Sequence, residues 1–264
     1  LFFKQNTSYE CVFGDWSSDV CSSDLLIEKK MTEMLIRVGM EALSPERMLA
    51  WGLDFPGCFA YGRSDAEALL RFAGNLLNYG AWVSLHTEEP WFHLGNVDFR
   101  LVEAYQGGRL PAEHSEDGSI AFFEDDFRTL QQDGIGNALK VYRWQREELL
   151  AGLEFTPTEL LGRKIPGETR TIQEILLHIA RTELLYLNKL ELWAEPLPKE
   201  LKPLDALQFS QEKVETLLPG LEENPAALEV DGELWSCRKL VRRLLWHHRV
   251  QIDAVKRLVG QPGA

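Results

Sequence analysis

Apolar residues recur along the chain with two spacings, one near two residues and one near three and a half, and the first dominates the N-terminal part. Met34 to Leu43 (MLIRVGMEAL) reads as a strand with β-branched content. Ser44-Pro45-Glu46-Arg47 carries a turn signal, and Met48 to Phe55 gives a second strand. After Pro56-Gly57 a short third strand runs from Cys58 to Tyr61. Ser64-Asp65-Ala66-Glu67 has the form of a capping box and opens a helix to about His86. Its apolar positions are Ala68, Leu69, Phe72, Leu76, Leu77 and Trp82. Val97 to Tyr105 reads as a closing strand. The stretch 106–123, with QGGRLPAEHSEDGS, is rich in Gly, Pro and polar residues and reads as a linker that proteases cut first.

Beyond it the period is helical. Glu124 to Leu153 opens on Glu124-Asp125-Asp126, acids suited to a helix N-terminus, with Gly134 and Gly136 as a point of kinking. Residues 154–169 read as a loop. Thr171-Ile172-Gln173-Glu174 starts a second helix with the stripe Ile172, Ile175, Leu176, Ile179, Tyr186, Leu187 and Leu190, stopped by Pro196-Leu197-Pro198. Asp205 to Leu218 gives a third helix. Asn224-Pro225 and Asp231-Gly232 punctuate the way to the fourth, Trp235 to Val259, where Leu240, Val241, Leu244, Leu245, Ile252, Val255 and Leu258 share one face. The expected fold class is α+β: a small α/β module followed by a four-helix bundle. The expected division is a leader at 1–30, the module at 31–110 and the bundle at 120–264, the last two separable.

The first 25 residues have neither period. LFFKQNTSYECVFGDWSSDVCSSDL lacks the basic start and apolar core of a signal peptide. Its run DWSSDVCSSDL resembles a translated sequencing-adaptor read-through fused to metagenome-derived reading frames. It is expected to be non-native or disordered, with the true start at Met31 or Met34.

Composition narrows the class. Of 264 residues 45% are hydrophobic and 26% charged, as in globular proteins. A net charge of −13 argues against a nucleic-acid partner, and no apolar run approaches the ~20 residues of a membrane span. Four scattered cysteines without a CxxC pair fit a reduced compartment, so a cytoplasmic setting is expected. Cys58 reads as a buried small hydrophobe, since no His neighbours it in sequence.

Candidate chemistry sits on polar residues inside apolar stripes. On the fourth helix His248 and Gln251 lie on the apolar face with His247 at its flank, while Arg238, Arg242, Arg243, Arg249 and Lys256 are expected to point mostly to solvent. Buried polar groups are costly unless paired or ligated. Residues four apart share a face, so His247 and Gln251 can share an ion. Glu183 falls in the centre of the second helix's stripe. Two readings of it stand: a general base or partner to a metal-ligating His, or an ion pair with an Arg of a neighbouring helix.

Two resemblances extend this reading. LDFPGCFAYGRSDAEAL, through Asp54, Pro56, Gly57, Cys58, Gly62, Glu67 and Ala68, resembles the HicB-like family, which implies an antitoxin-type α/β module that packs on a partner protein. Residues 124–258 resemble the DinB-like (DinB/YfiT) family of bundles. Thr171-Ile172-Gln173-Glu174-Ile175-Leu176-Leu177-His178-Ile179-Ala180 with Glu183 and Tyr186-Leu187 carries that resemblance, as does Trp235-Ser236-x-Arg238-Lys239-Leu240 followed by Trp246-His247. It implies a divalent metal, zinc or nickel, held by His178, His247 and the residue four beyond, here Gln251 in place of a third His. A register using Leu244 and His248 also lacks one ligand. The chemistry implied is thiol S-transfer or hydrolysis on a small-molecule substrate, with Glu183 as the catalytic candidate and a homodimer allowed for. The alternative is a non-catalytic protein-binding module that uses the HicB-like surface.

Overall fold

A computed structural model describes residues 34–92, 94, 97–105, 121–224 and 226–260. The leader 1–30, the proposed starts at 31 and 34 save Met34 itself, and the linker residues 106–120 lie outside the described residues. All described residues belong to one compact unit, Glu33–Ala264. Helices and a mixed sheet make the fold α+β.

The period-two part forms β1 (Met34–Ser44), β2 (Arg47–Gly52), β3 (Phe59–Gly62), α1 (Asp65–His86) and β4 (Val97–Tyr105). The sheet order is β3-β2-β1-β4, antiparallel except that β4 lies parallel to β1. Ser64 caps α1 by accepting from the Glu67 amide. Ile36, Val38 and Met40 of β1 pack with Phe72, Leu76 and Val83 of α1, so the alternation of the strand and the helical stripe meet in one core. The second strand ends at Gly52, earlier than Phe55, because residues 53–58 leave the sheet for a turn in which the Phe55 amide donates to the Gly52 carbonyl and the Cys58 amide to the Phe55 carbonyl.

The helical part starts differently from the sequence expectation. Glu124–Phe127 is a 3₁₀ turn, and α2 begins only at Gln132 and runs to Glu154. The acids open the 3₁₀ turn and not α2: Asp126 accepts from the Phe123 amide at 2.8 Å, and Asp125 and Asp126 also meet arginines. Asp125 accepts from Arg37 at 2.5 Å, Arg128 at 2.9 Å and Arg238 at 3.0 Å, and Asp126 pairs with Arg242. Burial pushes the Asp125 carboxyl up, but Arg238, Arg37 and Arg128 outweigh it and hold it below the usual carboxylate range. The expected loop 154–169 contains a single helical turn, α3 (Thr158–Leu161). The helices α4 (Ile172–Asn188), α5 (Pro203–Leu217) and α6 (Cys237–Val259) follow. Before α6 stands a hairpin the helical reading did not include: β5 (Ala227–Val230) and β6 (Glu233–Ser236) about Asp231-Gly232. Trp235 therefore sits in a strand, and Ser236 caps α6 by accepting from the Lys239 amide.

Helix α6 packs on α2 and α4, and α4 packs on α5. Its opposite side faces the sheet. Trp246 lies edge-on to Trp51 at 5.5 Å between ring centroids and donates from Nε1 to the Tyr61 hydroxyl. Gly57 has φ of 90°, and a Cβ there would sit 3.3 Å from Leu245 Cβ, so only glycine suits both the turn and the approach of α6.

Candidate functional site

The functional candidates sit on α4 and α6. The capping box of Thr171 and Glu174 fixes the start of α4, since each side chain accepts from the other's amide. Two turns on, His178 faces α6. Its Nε2 lies 3.0 Å from Nε2 of His247, and the rings meet edge to face. Two nitrogens bound to one zinc at 2.0–2.1 Å are about 3.0–3.4 Å apart, so the separation suits a shared ion. His247 is 2% exposed. Burial, then His178, Arg243 and Arg170, push its pKa well below the usual histidine range. It is therefore neutral near pH 7, the form that ligates metal.

Gln251 is buried one turn beyond His247. Among the described residues no group of three or more His, Cys, Asp or Glu side chains is arranged to hold a metal ion. The structure brings together two imidazoles, and Gln251 follows one turn beyond His247 on the same helix. Nearby, Arg243 donates to the Tyr186 hydroxyl at 3.3 Å, and the Tyr186 ring lies 6.1 Å from that of His247.

Glu183 is 1% exposed, five residues beyond His178 along α4. Both its oxygens accept from Arg146 Nη2, at 2.6 and 2.8 Å, and Ser210 Oγ donates to it at 2.6 Å. Of the two sequence readings, the ion pair with a neighbouring helix is the one the geometry matches. Arg146 and Ser210 were not singled out from the sequence, though a signal existed. Arg146 falls in the register Leu139, Tyr142, Arg146, Leu149, on the buried face of α2.

His248 points to the other side of α6, 1% exposed, with its ring 5.3 Å from Tyr142. Neither ring nitrogen has a hydrogen-bond partner among the described residues. It does not join His178 and His247.

The basic residues of α6 correct the expectation of a solvated face. Arg242 and Arg243 are buried at 3% and 5% exposure. Arg242 is sandwiched by Trp51 and Phe123, donates to the Ala121 carbonyl at 3.1 Å and pairs with Asp126. Lys239, 0% exposed, pairs with Glu233 at 2.7 Å. Arg249 and Lys256 keep the solvent side and share Glu148. Cys58 is buried, and burial pushes its thiol far up, which agrees with a packing role. His86 stacks on Trp144, and His93 and His114 lie outside the described residues.

Comparison of the chain with protein-family models, with curated proteins and with solved structures finds no match. No described helix is long and apolar enough to cross a membrane.

Proposed function

We propose that this chain is a DinB-like bundle protein with a HicB-like module, and that His178 and His247 hold a divalent ion, zinc or nickel, for thiol S-transfer or hydrolysis. The observation that carries the reading is the 3.0 Å approach of the two Nε2 atoms from neighbouring helices, with His247 kept neutral by burial. Gln251 supplies an amide oxygen, a harder and weaker donor than imidazole, so the set leaves coordination positions open. A divalent ion held there would lower the pKa of a thiol or water. The chain's own residues supply the surroundings. Arg170 and Arg243 bring positive charge to the His247 side, which favours an anionic group beside the imidazoles. Glu183 acts as a positioning group: three hydrogen bonds to its two oxygens lock α4 to Arg146 of α2 and to Ser210 of α5.

The test is metal affinity. Competition with a chromophoric chelator should give one zinc or nickel per chain, and His178→Ala or His247→Ala should each lower affinity at least tenfold. Equal affinity in parent and His178→Ala would sink the reading. The alternative, a non-catalytic protein-binding module in the HicB-like part, is favoured by one observation. Leu70, Leu77 and Leu85 lie along one side of α1, 76%, 59% and 84% exposed.

A further inference from the structure

A cavity of about 480 Å³ lies on the other side of α6 from His178, between α1 and β3 on one wall and α2 and α6 on the other. It does not depend on the metal reading. Its volume falls in the range of small-molecule sites. Tyr61, Tyr79 and Trp82 bring aromatic surface to it, and the rings are held in place. Tyr79 donates to the Pro56 carbonyl at 3.3 Å and stacks on Phe92, while Trp82 packs edge-on to Trp144.

The polar groups at this cavity are of both kinds. Gln145 lines it at 1% exposure, and its Oε1 is buried without a hydrogen-bond partner among the described residues. A buried amide left without its hydrogen bond costs about 1–3 kcal/mol, so such a side chain at a cavity wall points to a ligand that brings hydrogen-bonding groups. Asn78 adds an exposed amide, and Asp253 and Arg257 add one acceptor and one donor. Arg249, the other cation at the wall, is engaged by Glu148 at 2.8 Å and lies over the Trp82 ring. The formal charges of Asp253 and Arg257 balance, which disfavours a ligand that carries a large net charge. Cys58 also lines the cavity, but as a buried thiol it offers no nucleophile.

We propose that this cavity binds a planar nitrogen heterocycle with mixed donors and acceptors on its edge, of the nucleobase class. Aromatic side chains take the faces of such a ring, and the side-chain amides of Gln145 and Asn78 with Asp253 and Arg257 take its edge. The Trp82 indole reports occupancy.

The experiment titrates the full chain with free adenine, guanine, cytosine and uracil, reading tryptophan fluorescence and heat. Benzoate serves as an aromatic anion without ring nitrogen. At least one base should quench saturably at micromolar to millimolar concentration. Gln145→Leu and Asn78→Ala should each weaken it by tenfold or more, and His178→Ala should leave it unchanged. Asn78 is exposed, so its variant decides the matter if Gln145→Leu folds poorly. Four outcomes overturn the proposal: no saturable signal with any base, binding that Asn78→Ala leaves intact, equal or tighter binding of benzoate, or loss in His178→Ala. The last would assign the ligand to the imidazole pair instead.

Discussion

Glu183 and Arg146 form a buried ion pair that the core accommodates because Ser210 and Tyr142 add hydrogen bonds to the carboxylate and the guanidinium. Two desolvated charges are retained only when their partners are in place. Removing one partner strands the other, since Arg146 Nε and Nη1 already lack partners among the described residues. Glu183→Ala should therefore cost about 3–5 kcal/mol in urea unfolding. Replacing both charges, as in Glu183→Leu with Arg146→Met, should cost far less than the two single changes together. A cost below 1 kcal/mol for Glu183→Ala would mean that the pair is hydrated.

At the scale of one element, α6 presents three surfaces: His247 toward α4, Arg242 and Trp246 toward the sheet, and Arg249 and Lys256 toward solvent and Glu148. Its first turn holds the least favourable charge. Burial lowers the Lys239 ammonium to about 8; Glu233 offsets part of this, and Arg243 and Arg242 add to it. In the unfolded chain a lysine stays protonated to about pH 10.4. Between pH 8 and 10 the unfolded state thus holds more protons than the folded one, and this group's contribution to stability rises with pH. Below pH 8 the cost of the buried ammonium is present in full, on the order of 3 kcal/mol. Cys58 and Cys237, the latter pushed up to about 12 by burial, act in the opposite sense once unfolded thiols ionise near pH 8.5. The comparison is therefore with Lys239→Met. The parent should gain a few kcal/mol on that variant from pH 7.5 to 10 in urea titrations; parallel curves would place the lysine near its ordinary pKa. The same helix allows a gain-of-site test. Gln251→His puts a third imidazole one turn from His247. It should raise zinc affinity at least tenfold and raise the melting temperature only when metal is present, because a ligand of the native state adds RT ln(1 + [L]/Kd). In a His178→Ala background the gain should vanish; an unchanged affinity in the parent background would show that the three side chains do not converge.

Across the whole molecule the sheet part and the helical part share buried surface. Trp246 of α6 sits in one apolar cluster with Leu49, Trp51 and Leu53 of the sheet part and with Ala121 and Phe123. A Cβ at Gly39 would sit 2.8 Å from the Phe123 ring, so the sheet is shaped to take that ring. Arg37 of β1 joins Asp54 and Asp125 across the same boundary. Elements that share a core lose it together. Residues 34–105 and 121–260 should thus unfold in one calorimetric transition, with tryptophan fluorescence and far-ultraviolet circular dichroism changing at the same temperature. Two transitions more than about 5 °C apart would show that the linker divides two independent folds, as its composition suggests.

Much of the architecture was legible locally. The alternation of Ile36, Val38 and Met40, the capping boxes at Ser64 and Thr171, and the stripe of α4 depend on neighbours within one or two turns, and each element formed close to where its period runs. The α+β class follows from those periods. The pairing of His178 with His247 came from the family resemblance and not from the stripes, since a period fixes neither the axial register of two helices nor the partner of a buried polar group: His248, the next residue, meets Tyr142 instead. What the sequence could not decide was the partner of each buried charge. Arg242 and Arg243 were assigned to solvent because a helix seen alone has one buried face, whereas α6 is covered on two sides, by the bundle and by the sheet. Asp125 and Asp126 looked like helix-start acids for the same reason; Arg128 aside, their arginines come from 88 to 116 residues away. The β5–β6 hairpin carried its Asp-Gly signal, but strands of 4 residues are too short to show a period. Only the tertiary structure could decide these, since burial of a charge is a property of everything that covers it.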